Sequence, residues 1–538
     1  MSKKNIRFYW ILLVIFILCG VIAYFNTINS FFLSDDFVLI SAISKNGPFA
    51  VWTHSPWSFF RPLISLSLFI DYKLWELNPI GYHFTNILIH SLNSFFVFLI
   101  SFLLVNKIQL FKKRIWGLPL FSGFIFLILP CHTEAVAWIS GRTDVIATFF
   151  YLSSFCTYLF YKQNSKISYL LISILLFVCA LFSKESVITY PFVILSYEIY
   201  SYTIEQDNSR KFVHALYLPL IYCILLGLYL SVRCAAIGAI IGGHGSNVHL
   251  YFDFSQMFRN SILYSARTFL PPMSIEIMAI LFLIGMAVIL IVTVFIVWSK
   301  SKALVSKIAS RMPKILYFLL IAFVISLLPV INLGISIINT QSERFIYLPS
   351  VFSSIFLIFL LNFIINNKKY FVISFVCLLL FFGNSLYRSN EIWRKAGEIS
   401  KSILGSLKTL GKANRLFIVN LPDNINGAYI YRNGIRNAIC LFGNTNQFKN
   451  IIIISYNNIY KMDDTVMITK SSDMYTVRLL NPKASFVNAN VPIENTFSTK
   501  YYEIVNFTNN GYNLRFKKFK SNDKLTFYSA GRMITPRF

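Results

Sequence analysis

Carboxylates are scarce in this chain: 22 Asp and Glu stand against 49 Lys and Arg in 538 residues, and charged residues make up only 13%. The cysteines follow no zinc or disulfide spacing. Of the eight, Cys19, Cys156, Cys179, Cys223 and Cys377 lie inside apolar runs, where a free thiol behaves as a small hydrophobe. A glycine-rich phosphate loop, a local Ser-His-Asp arrangement and a zinc-protease signature are all missing. No basic-aromatic module accompanies the net charge of +27, so nucleic acid is not the partner this charge indicates.

What the chain has in quantity is apolar length. Hydrophobic residues reach 56%, in several runs of roughly 18 residues or more, which identifies a polytopic α-helical membrane protein. Runs at about 8–25, 83–105, 115–131, 144–161, 167–182, 187–201, 212–232, 276–298, 315–335, 346–365 and 370–387 predict roughly eleven spans. The first run follows Lys3, Lys4 and Arg7 as a signal sequence would, yet it has no small-residue cleavage site and is read as a retained anchor. Lys and Arg concentrate in alternate loops, such as "KIQLFKKR", "SKSKALVSKIASRMPK" and "NNKK", which places the N-terminus inside and the C-terminus outside. Residues 1–388 thus form a membrane region with a long first external loop at about 26–82. Residues 389–538, Asn- and Lys-rich with short β-prone runs, form a soluble extracytoplasmic tail of α+β type. The basic tail and loops suit contact with anionic lipid headgroups or glycan.

The scarce charges are not scattered. "FFLSDDFVLI" puts Asp35 and Asp36 at the start of the first external loop, and "HSPWSFFRPLISLSLFIDYKLW" in the same loop predicts a helix lying in the membrane interface. His83, Asn86, His90 and Asn93 share one helical face, a polar seam turned either to neighbouring helices or to an aqueous cavity. Arg142, Lys184 and Arg344 sit at the external headgroup level, where a cation meets a lipid phosphate, unless each pairs with a neighbour such as Glu185 or Glu343. His132 and Glu134, with an aspartate of the first loop such as Asp36, make a thin candidate site for a divalent cation, Mg or Mn.

The order of these stretches is similar to a known family. The acidic pair, "HSPWSFFRPLISLSLFIDYKLWELNPIGYHFTNILIHSLN", "LPCHTEAVAWISGRTDVIATFF", "FSKESVITYPFVILSYE" and "SERFIYLPS" together resemble the membrane half of the transmembrane and tetratricopeptide-repeat O-mannosyltransferases and their bacterial relatives in the GT-C superfamily, over approximately residues 8–390. The resemblance implies a GT-C-like bundle and transfer of a single sugar from a polyprenyl-phosphate carrier, usually with inversion. It makes Asp35 or Asp36 the general base, and places Arg142, Lys184 and Arg344 on the departing phosphate. Arg61, His83, His90, Asp144, Glu185, Glu343 and Tyr347 complete the expected substrate-binding set. No 34-residue period appears in residues 389–538, so the family's repeats, and the acceptor tied to them, do not carry over.

Sugar transfer needs a base for the acceptor hydroxyl and cations for the leaving phosphate, and both are present. The acceptor stays open among protein, glycan and lipid, as does the sugar, mannose or another hexose or pentose. An oligosaccharide ligase or polymerase using a polyprenyl-diphosphate donor, and a lipid-linked glycan transporter, are the competing readings. Against the transporter, the charges gather at one face and no internal repeat is visible. The Ile-, Asn-, Lys- and Phe-rich composition is that of a bacterial chain, which predicts the inner membrane.

Overall fold

The computed structural model describes residues 3–49, 59–107, 117–205, 213–238, 253–274, 276, 277, 280, 283, 314–365, 367–443, 447–487 and 496–536. Its helices run in the order α1 (Lys3–Ala23), α2 (Asp35–Asn46), α3 (Pro62–Trp75), α4 (Pro79–Lys107), α5 (Leu118–Ile128), α6 (Thr133–Ala137), α7 (Arg142–Asn164) and α8 (Ile167–Leu181). They continue through α9 (Tyr190–Glu205), α10 (Val213–Ile237), α11 (Phe254–Phe269), α12 (Lys314–Leu327), α13 (Pro349–Ile364), α14 (Lys368–Thr409) and α15 (Ile435–Phe442). Among the described residues 4 helices, α4, α7, α10 and α14, are long and apolar enough to cross a bilayer, or 5 if α5 and the bent segment after it form one span. Most of α1, together with α8, α12 and α13, adds shorter apolar helices. The expected run at 276–298 lies almost wholly outside the described residues.

These helices are packed inside out relative to a water-soluble bundle. On α10, Leu220, Ile224 and Leu228 form an exposed stripe, and α1 and α8 likewise expose Trp10, Leu18, Leu171 and Leu175. The polar side chains of α4, namely His83, Asn86, His90 and Asn93, are buried against neighbouring helices. Hydrocarbon as solvent produces this pattern: apolar side chains lose nothing by facing it, whereas polar ones need partners inside. The helix expected in the first loop forms as α3, with Leu66, Ile70 and Leu74 exposed along one side and Ile64, Leu68 and Asp71 buried along the other.

Helix α14 runs 42 residues without a break, so the expected boundary at 388/389 falls inside a continuous rod that carries the chain from bundle to tail. In the tail, β1 (Ala413–Ile425), β2 (Ala428–Tyr429), β3 (Phe448–Ile459), β6 (Ser485–Val487), β10 (Asp523–Ser529) and β11 (Arg532–Ile534) build one sheet, ordered β11-β10-β1-β3-β6 with β2 beside β1. Strand β1 is parallel to both β10 and β3, and α15 lies in the connection from β1 to β3. The strands β4 (Val466–Ser471), β5 (Met474–Leu479), β7 (Thr496–Ser498), β8 (Tyr502–Val505) and β9 (Gly511–Phe516) form an antiparallel second sheet. Alternation along β1 serves two cores: Leu416 and Ile418 pack with α14, while Phe417 and Val419 pack with the second sheet. The first of these cores also holds Phe32, Leu33 and Phe37 of the first loop and Trp138, so loop, bundle mouth and tail share one apolar interior.

Candidate active site

The site is built around a corner in the chain. Leu129 precedes Pro130 and takes an extended conformation (φ −59°, ψ 126°), as a residue before proline prefers, and the helical segments on either side are bent by 53°. Residues 130–141 then continue as short turns of helix across the mouth of the bundle. Gly141 permits this tight path, because a Cβ there would lie 2.5 Å from the Glu134 carbonyl oxygen. Asn86 of α4 secures the corner by donating to the carbonyls of Val136 (3.2 Å) and Trp138 (3.1 Å).

The two adjacent aspartates have separate environments. Asp36 is 1% exposed; its Oδ1 accepts from the Ser140 amide at 2.9 Å and the Ser140 hydroxyl at 2.5 Å, and its Oδ2 accepts from the Leu33 amide at 2.9 Å. Burial pushes its carboxyl up to about 7, although all three hydrogen bonds favour the charged form. Asp35 is only partly buried, and its Oδ1 accepts from Asn433 Nδ2 of the tail at 2.9 Å. Ser34, just before the pair, has φ 44° and ψ −110°, a strained conformation costing about 1–3 kcal/mol. The tail holds it there: the Ser34 amide donates to the Ile430 carbonyl at 2.9 Å, and its hydroxyl accepts from the Asn433 amide at 3.3 Å. Gly434 (φ 86°) makes the close fit possible, since a Cβ would stand 2.5 Å from the Ser34 carbonyl oxygen.

Cations from farther along the first loop and from two other turns meet nearby. Arg344 pairs with Glu134 (Nη1 to Oε1, 3.2 Å), lies over the Trp138 ring at 5.0 Å and keeps 19% of its side chain exposed. Lys184 pairs with Asp144 and lies 5.5 Å from the Phe345 ring centre. Burial lowers its ammonium and Asp144 pulls it back up, with Arg61 and Arg344 adding to the lowering, so that its net position is below that of an ordinary lysine. Arg61, 17% exposed, binds Glu185 at 2.7 Å, and Arg233 binds the other oxygen of Glu185 at 2.8 Å. Burial works against ionisation of Glu185, but the two guanidinium groups outweigh it and hold the carboxyl at about 2. The first loop, the corner, the "SKES" turn and the "SERF" turn are therefore brought together, joined also by the Leu63 amide donating to the Phe182 carbonyl at 3.3 Å.

Other expected site residues lie deeper. Arg142 is wholly buried, with Nη2 2.7 Å from Asp71, and it also donates to Ser67 Oγ, the Ile139 carbonyl and the Tyr82 carbonyl. It anchors α3 and α4 to the corner instead of facing the mouth. Glu343 is buried against Arg267 of α11, which also donates to the Ser336 and Leu270 carbonyls. The polar seam is spent on helix packing: His83 Nε2 lies 3.0 Å from the Ser30 carbonyl, and His90 Nε2 3.0 Å from that of Leu127. Tyr347 Oη stands between His90 Nδ1 (2.7 Å) and Asn93 Nδ2 (3.0 Å), while Asn93 also donates to the Val145 carbonyl at 2.9 Å.

The candidate metal ligands are not brought together, which corrects that expectation. His132 turns into the bundle, with Nε2 2.7 Å from Ser350 Oγ, whereas Glu134 faces Arg344 and Asp36 is saturated by Ser140 and Leu33. Among the described residues no group of three or more His, Cys, Asp or Glu is placed to hold a metal ion. As placed, these residues do not fit a divalent cation.

Several residues at the mouth carry no signal in the sequence alone. Asn433 reaches Asp35 from nearly four hundred positions away, Tyr429 meets Trp138 from nearly three hundred, and Arg432 lies over Tyr429. Asp71, Arg233 and Ser140 have neighbours that only folding supplies. Arg267 was open to discovery: "DFSQMFRNSILYSARTF" opens with Asp253 capping the Ser255 and Gln256 amides, and its periodicity separates exposed Phe254, Phe258 and Ile262 from buried Asn260, Tyr264 and Arg267.

No protein-family model matches the chain. Part of it is similar to curated proteins: it is 31% identical over 188 residues to Protein O-mannosyl-transferase Tmtc1 of Drosophila melanogaster, covering 31% of this chain and 20% of that protein. It is 34% identical over 162 residues to Protein O-mannosyl-transferase TMTC1 of Homo sapiens (28% and 18%), and 31% identical over 157 residues to Protein O-mannosyl-transferase TMTC2 of Mus musculus (26% and 18%). The chain thus spans about a fifth of the length of these relatives. Among solved structures, the crystal structure of ArnT from Cupriavidus metallidurans bound to undecaprenyl phosphate superposes with a TM-score of 0.44 at 9% identity, covering 85% of this chain and 93% of that one.

Proposed function

We propose that this chain is an integral membrane glycosyltransferase of the GT-C class that moves one sugar from a polyprenyl-phosphate carrier to a hydroxyl acceptor, with inversion, on the external face of a bacterial inner membrane. The observation that carries the reading is the mouth itself. A partly exposed carboxylate, Asp35, lies within electrostatic reach of Arg344, which in turn neighbours Lys184, itself beside Arg61, the three cations arriving from three different loops. Asp35 accepts the proton of the acceptor hydroxyl as its oxygen attacks the anomeric carbon. The bond from that carbon to the carrier oxygen breaks, and the electron pair leaves on the phosphate, whose charge the three cations meet. Asp36, saturated by three donors, positions the corner and leaves the proton transfer to its neighbour.

The relatives' name, O-mannosyl-transferase, makes mannose the first donor to try. We read the chain as crossing the membrane about eleven times with an external tail, on the alternation of apolar runs and basic loops in its sequence. In the test, purified chain is incubated with a panel of polyprenyl-phosphate sugars and with a diphosphate-linked oligosaccharide, and release of the carrier is followed. Release from a monophosphate carrier, dependent on a hydroxyl acceptor, is expected. Release from the diphosphate carrier alone would overturn single-sugar transfer in favour of an oligosaccharide ligase.

A further inference from the structure

Arg432 and Asn433 stand in the turn between β2 and α15, on the face of the tail that meets the bundle mouth. Asp423 holds Arg432 by two contacts, from Nε at 3.0 Å and Nη2 at 2.7 Å, and the guanidinium lies over the Tyr429 ring at 4.4 Å. Held along that edge, it keeps 38% of its side chain exposed and directs its Nη1 edge away from Asp423. A surface ion pair of this kind usually contributes little, and by itself would need no function.

Its neighbours set it apart. Tyr429 meets Trp138 edge-on at 5.1 Å, and Arg344 lies over Trp138 at 5.0 Å, so an aromatic pair separates two guanidinium groups. Asp35 belongs to the same mouth, tied to Asn433 at 2.9 Å. Arg344 comes from a turn between helices of the bundle, where a membrane carrier's phosphate would arrive, whereas Arg432 comes from the soluble domain. A donor phosphate and an acceptor approach a base from different sides, and the second guanidinium is on the side that the bundle does not supply.

We infer that Arg432, with Asn433 beside it, forms an anion subsite for the acceptor, and that the acceptor carries a carboxylate or phosphate close to the hydroxyl that receives the sugar. The inference rests on Asp35 being the base proposed above. A fixed, planar guanidinium with one edge committed and the other turned outward is suited to reading such a group, and it would orient the hydroxyl toward Asp35. The tail's excess of basic over acidic residues, about two to one, favours the approach of anionic molecules to this domain.

The test uses the full chain in lipid nanodiscs and three matched disaccharides: one neutral, one with a glucuronate and one with a sugar 6-phosphate. Binding is measured by calorimetry, independently of turnover. The wild type is expected to bind at least one charged disaccharide tenfold or more tightly than the neutral one, and the charged form preferred identifies the source of the anion. Arg432→Gln should abolish the preference, Arg432→Lys should keep part of it, and the double variant Arg344→Gln with Glu134→Gln should leave it in place. Should Arg432→Gln fail to fold, Asn433→Ala, which leaves Asp423 paired, is expected to cut the preference threefold or more. Equal binding of all three disaccharides by the wild type, or an undiminished preference in the Arg432→Gln or Asn433→Ala protein, overturns the subsite. Failure of every polyprenyl-phosphate sugar as donor would defeat the transferase reading, while the binding result would still decide this one.

Discussion

Two sets of ion pairs lie near one another in this molecule and do different work. In the deep set, Arg142 with Asp71 and Arg267 with Glu343 have next to no exposure and are surrounded by further donors and carbonyls. In the set at the mouth, Arg344 and Arg61 retain 19% and 17% exposure, enough to exchange an internal partner for one that arrives. On the proposed function, the same residue types serve as fasteners below and as a charge reservoir above. Removing one partner of a buried pair strands the other charge, whereas a pair at the rim can be re-formed with a substrate.

The largest effect expected from breaking this contrast is in the deep set. Arg142→Ala should destabilise the protein by about 3–5 kcal/mol, the cost of leaving Asp71 charged and buried. The double replacement Arg142→Met with Asp71→Leu should recover much of that loss. Thermal melting in detergent measures both, and a mild effect of the single variant would erase the distinction between the sets.

At the mouth the expected loss is in rate. Arg344→Gln alone strands Glu134, which is wholly buried, so the informative protein is the double variant Arg344→Gln with Glu134→Gln. It should melt near the wild type while transferring sugar about 10²–10³-fold more slowly, the scale seen when one donor to a developing anion is removed. Arg61→Gln should have the smallest effect on stability, within about 1 kcal/mol, because Arg233 still neutralises Glu185. Equal melting losses in the Arg61 and Arg142 variants would contradict the comparison.

Asp36 supplies a pH dependence between these extremes. Its carboxyl titrates at about 7 when folded and near the ordinary 3.8 when unfolded, so the native state binds the extra proton between those values. Stability from this group is complete below the unfolded value and is lost as pH rises through about 7. Wild-type melting temperature should therefore decline from pH 5 to 8 relative to Asp36→Asn, whose melting lacks that slope. A rise over the same range would show that Asp36 is held charged.

Much of the membrane region was legible in the sequence, because apolar runs such as those of α4, α7 and α14 leave a bilayer as their natural solvent. The strands were legible as well: the apolar run "RLFIVNLP" falls in β1, buried on both faces, and the isoleucine-rich "NIIIISYNN" falls in β3, where buried and partly buried residues mix. The continuity of α14 was not, since its polar second half carries no membrane signal, and its apolar stripe, Trp393, Ala396, Ile399 and Ile403, finds its cover only in the tail sheet. Within the site, sequence order located the loops but not the pairings. Lys184 has Glu185 beside it in the chain yet pairs with Asp144, and Arg344 passes over Glu343 for Glu134. Neighbours in sequence point apart on a helical turn, and only the folded mouth determines which carboxylate each cation meets.

The contrast between a saturated and an accessible carboxylate is sharpest at Asp35 and Asp36 themselves. The most direct measurement is sugar transfer, together with melting temperature, for Asp35→Asn and Asp36→Asn in the full chain, each assayed with the carrier that the wild type accepts. Asp35→Asn should fold like the wild type and lose transfer, whereas Asp36→Asn should act first on stability and keep measurable turnover in the folded fraction. Wild-type transfer by a well-folded Asp35→Asn protein would contradict the account.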